Sequence, residues 1–532
     1  MPSPRDFPLL DRQPPLAWLW ALGLGLLSAT GFAPLSLWPV ALLAMGLWGV
    51  LIARTHTLRG AFFYGWLFGL AHFTFGNNWI AAAFTHQSEM PIWLGWIAVP
   101  LLSTYLALYP ALAALAARAL VRTGLGWAFA LALAGMWIVT EWLRSWVFTG
   151  YAWNPFAMVL LGPFDRPGLA AISPFMGTYA LSGLSVLLGV AVVLLLRERR
   201  FVPMALVAAL LVAAMYWPAP AANDSVLAVT IAQPDIGQDR TSDPRFYESN
   251  FQRLAKLSSR PDGLTSNRIV LWPESGMADY LREGYPQRYY DRTTAFGSPA
   301  FARKRLGKTV GEDSVLLTGA VDLEIGRDDT GWLRAMGARN AITALSTDGA
   351  ILGGYAKAHL VPYGEYLPFR SILEPLGLSR LVAGSIDFWP GPGPHTLDLG
   401  KFGKVGPQIC YEIVFSGQLT DRSDRPDYIY NPSTDGWFGT FGPPQHFAQA
   451  RMRAIEEGLP VLRATTTGIS GVIDAHGVVR AFLPMNVRDR IDMAVPAALP
   501  PTLFARTGNA LALVYALIFL VAALVAMRRR PR

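Results

Sequence analysis

Eight long apolar stretches most constrain what this chain can fold into. Seven lie before residue 220, at about 15–33, 36–53, 60–84, 92–117, 125–147, 170–196 and 201–217, and the eighth at about 508–526. Crossing the hydrocarbon core of a bilayer takes roughly 20 mostly apolar residues. Only 15% of the 532 residues are charged, against about 25% in a typical soluble chain, so the apolar excess points to lipid rather than to a large core. Eighteen tryptophans agree, because indole rings favour the membrane–water boundary. The expected architecture is an α-helical membrane bundle of eight transmembrane helices. The first stretch leads through GFAPLSLWP into the second without a small-x-small cleavage site, so a span is expected there and not a removed signal peptide.

Arginines set the orientation. Arg5 and Arg12 precede the first stretch, and Arg528, Arg529 and Arg530 follow the last. Arg54 and Arg59, Arg118 and Arg122, and Arg197, Arg199 and Arg200 occupy alternate loops. The remaining loops are nearly free of basic residues, apart from Arg144 and Arg166. The positive-inside rule then puts both termini in the cytoplasm and the long segment before the last stretch on the far side of the membrane. Much of the net charge of +8 belongs to this pattern, and no nucleic acid partner is expected. Three parts follow: a membrane domain at 1–220, an exported domain at 221–505, and a final transmembrane helix with a basic cytoplasmic tail at 506–532.

The exported part changes character. Charged residues, Gly, Pro and short alternating runs replace the apolar stretches, and strands are expected at 225–233, 268–274, 314–322, 340–346, 404–412 and 427–433. A helix is expected at 446–458, where Phe447, Ala450 and Ala454 can share one face. Strands alternating with helices favour a layered domain with its own core.

Few residues in it carry chemistry. Cys410 is the single cysteine, which excludes an intrachain disulfide and a multi-cysteine metal site. It ends an apolar strand before a turn, a place that can expose a nucleophile, although an isolated cysteine often packs as a small hydrophobe. Glu274 follows Trp272 and Pro273, so the strand should stop there and present a carboxylate as a general base, or simply as a solvated strand end. Lys357 is one of only six lysines among 45 basic residues. Set among Tyr, His, Leu and Val, its ammonium is suited to a thiolate or an oxyanion, or to an ordinary ion pair. Glu365 is placed to hold that ammonium or to position Glu274. Glu412, two residues past the cysteine, either bonds the lysine, gates the sulfur, or serves as a helix N-terminal carboxylate.

WPES, KAHLVPYGEYLP and ICYEIVF, in that order, resemble the nitrilase superfamily with its Glu-Lys-Cys triad. With the apolar flanks, GFAPLSLWP, PFMGTYALS, DGWFG, QHFAQARMRAIE and ARTGN, the chain resembles the apolipoprotein N-acyltransferases along essentially its whole length. The resemblance implies a nitrilase-like αββα sandwich for the exported domain, periplasmic at a bacterial inner membrane. It implies that Glu274 takes the proton of Cys410 and that the thiolate accepts an acyl chain from a phospholipid, typically phosphatidylethanolamine. Lys357 and backbone N–H groups near Tyr411 would then stabilise the oxyanion. The thioester would pass its acyl chain to the α-amino group of a diacylglyceryl-cysteine on an apolipoprotein. Glu365, Glu412, Tyr411 and Asn340 would support the triad, and Trp437 would lie near the substrate. No metal and no cofactor is implied.

Some segments depart from the family pattern. Ser242 stands near a usual tryptophan, NPST precedes DGWFG, RATTTGIS replaces an asparagine-rich run, and TGYAWNPF differs in the fifth connection. These bear on lipid or apolipoprotein preference. Glu141 and Arg144 fall near the outer end of a span, where phospholipid headgroups are within reach, and 369–384 is amphipathic enough to shield an acyl chain. Two rival readings share these residues. A membrane-bound nitrilase-type amidase would resolve the thioester with water. A transporter or receptor would line a pathway with His72, Asn77, Asn78, Glu141 and Arg144.

Overall fold

The computed structural model describes residues 14–86, 91–376 and 386–528. Helices occupy all eight apolar stretches: α1 (Ala17–Ala29), α2 (Trp38–Ala53), α3 (Leu58–Gly76), α4 (Leu94–Leu106) running into α5 (Leu108–Leu120), α6 (Trp127–Arg144), α7 (Ser173–Arg197), α8 (Phe201–Tyr216) and, near the other end of the chain, α12 (Ala510–Arg528). Among the described residues, the runs Leu94–Leu120, Leu169–Arg197 and Ala510–Arg528 are long and apolar enough to cross a membrane, and α1, α2 and α8 are apolar but shorter. Small residues let these helices pack closely. Gly46 of α2 meets the Gly189 backbone of α7, and Gly65 and Gly69 of α3 face Ala111 and Ala107. Arg5, Arg12, Arg529 and Arg530 lie outside the described residues.

Between α8 and α12 the chain builds two six-stranded sheets. The first contains β1 (Asp224–Gln233), β2 (Arg268–Leu271), β3 (Ser314–Arg327), β4 (Leu333–Leu345), β5 (Ile351–Ala356) and β12 (Asp489–Pro496), in the order β12-β1-β2-β3-β4-β5. The second contains β6 (Leu397–Asp398), β7 (Lys404–Pro407), β8 (Tyr428–Ser433), β9 (Val461–Thr465), β10 (Ser470–Ile473) and β11 (Val479–Leu483), in the order β11-β10-β9-β8-β7-β6. Each sheet has a parallel centre, β1-β2-β3 in one and β7-β8-β9 in the other, with antiparallel pairs outside it.

Alternation along the strands decides the layers. Val229, Ile231, Ile269, Leu271, Val315 and Leu317 share one core with Val405, Ile429, Val461, Leu462 and Val472 of the facing sheet. The opposite face of the first sheet, with Val270, Trp272 and Leu316, is covered by Phe251 and Leu254 of α9 (Tyr247–Leu257) and by Ala302 and Leu306 of α10 (Pro299–Lys308). On the other side of the sandwich lies α11 (Gly442–Glu457), whose Phe447, Ala450 and Ala454 belong to the sandwich core. Its Met452 and Ile455 instead join the core of the helical half. Polar contacts follow the same division. Glu456 accepts from Thr178 N of α7 at 2.6 Å and from Ser416 Oγ at 2.9 Å. Arg451 donates to the carbonyls of Gly162, Pro163 and Arg166 on one side and of Gly477 on the other.

The expected strands at 225–233 and 427–433 and the helix at 446–458 match β1, β8 and α11 closely, and β3 and β4 run longer than expected. Two boundaries are corrected. Strand β2 stops at Leu271, because Pro273 has no N–H for the ladder. Strand β7 stops at Pro407, and Cys410 opens a short 3₁₀ turn, Cys410–Val414, instead of ending a strand. Half of the segment expected to shield an acyl chain, 377–384 of 369–384, lies outside the described residues.

Candidate active site

Three loops bring the sequence candidates together. Glu274 follows β2, Lys357 follows β5 and Cys410 follows β7, so two arrive from the first sheet and the sulfur arrives from the second. Tyr430 of β8 donates its hydroxyl to the Trp272 carbonyl, tying the sheets together beside the site. Cys410 has φ = 51°, a left-handed backbone that few non-glycine residues adopt and that recurs at functional positions. The residue is 5% exposed.

Lys357 is more deeply buried still, its side chain 1% exposed, with Nζ 3.0 Å from Glu365 Oε1 and 3.6 Å from Glu274 Oε1. Burial opposes its charge. The Glu365 and Glu274 carboxylates and the Cys410 sulfur outweigh that burial and hold the ammonium above its ordinary range. Asn340, adjacent to Lys357 across the β4–β5 pair, donates its amide nitrogen to Glu274 Oε1 at 2.7 Å and to Glu365 Oε1 at 3.0 Å. The second Glu365 oxygen accepts from Val361 N at 2.8 Å. Two carboxylates, one amide and one ammonium thus form a closed cluster.

The thiol feels both signs of charge. Burial pushes it up to about 12, the Glu274 carboxylate adds to the rise, and the Lys357 ammonium pulls the other way. At neutral pH the sulfur rests as a thiol beside a carboxylate that can receive its proton and an ammonium that can neutralise developing oxyanion charge. Such an arrangement suits acyl transfer through a thioester.

The other candidates are placed as follows. Glu412 does not bond the lysine. Its carboxylate accepts from Tyr355 Oη (2.8 Å), Ala358 N (2.7 Å), His359 N (3.2 Å) and Ile409 N (2.8 Å), the last as the third residue of the 3₁₀ turn. It braces the turn that carries the cysteine against the loop that carries the lysine, and burial pushes it up to about 7 against those donors. Tyr411 is buried, its ring parallel to that of Trp153 with centroids 6.5 Å apart. Trp437 is half-buried in the turn after β8, edge-on to His86. Glu141 and Arg144 are both buried. They are 5% and 2% exposed, and Glu141 Oε1 accepts from Phe156 N at 2.8 Å while Arg144 donates to the Trp153 carbonyl at 2.9 Å. Both fasten the connection after α6. His72 is buried against Ser28 Oγ at 2.7 Å, and Asn77 is buried at the end of α3.

Sequence reasoning missed the polar group behind the cysteine. His446 of α11 places Nε2 3.0 Å from the Cys410 carbonyl and Nδ1 3.0 Å from Asp435. Arg463 of β9 bonds both Asp435 oxygens at 2.8 Å, and Ser433 bonds Asp435 and the cysteine. DGWFG and QHFAQARMRAIE stood out as motifs, but neither spacing nor periodicity brings them to the sulfur.

Residues 24–191 match the family described as apolipoprotein N-acyltransferase N-terminal domain, and residues 229–497 match carbon-nitrogen hydrolase. An apolipoprotein N-acyltransferase of Rhodopseudomonas palustris is 33% identical over 97% of this chain and 97% of its own length. One of Bradyrhizobium diazoefficiens is 33% identical over 97% of this chain and 96% of its own. With both halves matched and relatives aligned from end to end, this chain belongs to the apolipoprotein N-acyltransferase family.

Proposed function

We propose that this chain moves an acyl chain from a phospholipid, with phosphatidylethanolamine as the typical donor, to the α-amino group of an N-terminal diacylglyceryl-cysteine on an apolipoprotein. Cys410 gives its proton to Glu274 and attacks the ester carbonyl, while Lys357 and backbone N–H groups near Tyr411 hold the oxyanion. The C–O bond breaks, the proton passes from Glu274 to the departing lysophospholipid oxygen, and a thioester remains. The amine then attacks the thioester: a C–N bond forms, the C–S bond breaks, and the amine's proton returns by way of Glu274 to the sulfur. Glu365 and Asn340 hold Glu274 and Lys357 in register, Glu412 holds the turn of Cys410, and Trp437 flanks the substrate. The observation that carries this reading is the meeting of Cys410 with Glu274 and Lys357 in a chain whose full-length relatives bear that enzyme's name.

In the same reading the chain has the three parts 1–220, 221–505 and 506–532, and all eight apolar segments cross the membrane. Both termini are cytoplasmic, and the sandwich faces the periplasm. The alternation of arginine-rich and arginine-poor loops supports that orientation, and the apolar surface of α8 and α12, with Val202, Leu206, Leu210, Leu517 and Ile518 exposed, suits contact with lipid.

Intact-mass spectrometry of the purified protein with phosphatidylethanolamine tests it. The wild type is expected to gain an acyl-sized, hydroxylamine-labile adduct that Cys410→Ser lacks, and a diacylglyceryl-cysteine peptide is expected to remove it and become heavier by the same mass. A wild type that never gains the adduct would falsify the reading. Adduct lost to water, with the peptide unchanged, favours an amidase.

A further inference from the structure

The second sheet contributes a group to the sulfur that the mechanism above leaves unused. Ser433, the last residue of β8, lies with Oγ 3.3 Å from Cys410 Sγ and 2.7 Å from Asp435 Oδ1. A serine hydroxyl has one proton to donate, and here two acceptors face it. Asp435 does not depend on that proton, because Arg463 bonds both of its oxygens and His446 Nδ1 lies 3.0 Å away. Burial works against this carboxylate, but Arg463 and His446 hold it well below the usual carboxylate range. A thiol or thioester sulfur is a weak acceptor, so in those states the proton belongs on Asp435. A thiolate is a charged acceptor and draws shorter, stronger bonds. The hydroxyl can then turn to the sulfur without leaving a carboxylate unpartnered.

We propose that Ser433 is a rotating hydrogen-bond donor that supports negative charge on the Cys410 sulfur, both when the thiolate attacks the ester and when it is expelled by the amine. The inference rests on Cys410 as the nucleophile and adds a sulfur ligand from the sheet opposite the base and the ammonium. The charged groups facing the sulfur are Glu274 and Lys357 from the first sheet and Asp435 from the turn after β8. His446 on α11 meets the Cys410 carbonyl, and Arg463 on β9 reaches only Asp435, Asn431 and His446. Glu412, on the cysteine's own turn, directs its oxygens to Tyr355, Ala358, His359 and Ile409.

Alkylation of Cys410 by iodoacetamide reads thiolate availability without any lipid substrate. It is followed by intact mass on the full-length protein in detergent from pH 6 to 10. Ser433→Ala is expected to shift the rate profile about one unit to higher pH, which is about tenfold slower on its rising limb. Ser433→Thr keeps the hydroxyl and is expected to track the wild type. An Ala profile lying on the wild-type curve overturns the proposal, as does a Thr profile displaced as far as the Ala one. A serine with a merely structural role leaves the profile where it is. The lipid adduct separates the two ideas: wild type that forms it while Ser433→Ala alkylates normally sinks only the serine's role, and wild type that never forms it sinks the nucleophile itself.

Discussion

Gly319 of β3 lies so close to Glu274 that a β-carbon at 319 would overlap the Glu274 carbonyl. The absence of a side chain on one strand therefore seats the carboxylate on the neighbouring loop. Gly319→Ala must push that loop aside, and a displacement near 1 Å at a reacting group costs about 100-fold in rate. The expected outcome is about a 100-fold slower appearance of the acyl adduct in single-turnover mass measurements. An unchanged rate would show that Glu274 does not need this seat.

Removing the ammonium should be worse. Lys357→Met leaves Glu274 and Glu365 bridged by Asn340 alone, in a site with almost no solvent. Loss of one oxyanion donor costs about 100- to 1,000-fold, and breaking a buried ion cluster costs about 3–5 kcal/mol of stability. Adduct formation is expected to fall in that range together with the unfolding midpoint in detergent. A variant that acylates at the wild-type rate removes Lys357 from the chemistry.

Asn340→Leu tests the bridge between the carboxylates. Leucine keeps the same branched skeleton, but both Glu274 and Glu365 lose a donor. Adduct formation is expected to drop about tenfold, in keeping with the loss of a hydrogen bond to a charged group. Equal rates for Leu and Asn would make the bridge incidental.

Stability should fall with rising pH through Glu457. This carboxyl, buried at the end of α11, is pushed up to about 7 by burial and by the charge of Glu456. Between its unfolded value near 4.5 and about 7 the folded chain holds the proton that the unfolded chain releases, so folding weakens as pH rises through that window. The full shift corresponds to about 3 kcal/mol. Glu457→Gln is expected to match the wild type at pH 4 and to unfold at a higher temperature at pH 8.5. A wild type less stable than the variant at pH 4, or no difference at pH 8.5, contradicts this.

How much of this was legible in the sequence depended on the range of the signal. The apolar runs and the alternation in SVLAVTIAQ are local, and they predict α2, α7 and β1 within a few residues. Glu274, Lys357 and Cys410 were legible because each sits in its own distinctive run, and their meeting was read from a resemblance. Strands β9 and β10 were missed because they are short and carry buried polar residues, Arg463 and Ser470, whose partners Asp435 and Gln233 lie far away in sequence. Of the readings open for Glu412, the carboxylate at the start of a helical turn holds, whereas the shared face suggested by two residues of separation does not, because the positive φ at Cys410 breaks the extended geometry on which it depends.

Helix α11 has a practical consequence for anyone who wishes to study the sandwich apart from the rest. Phe447 and Ala454 are sheltered by one half of the molecule and Met452 and Ile455 by the other. Excising residues 221–505 as a free-standing fragment would strip the cover from that second pair and leave the Glu456 carboxylate without the Thr178 amide. Such a fragment should be sticky and short-lived in water, and assays of this enzyme belong on the intact chain.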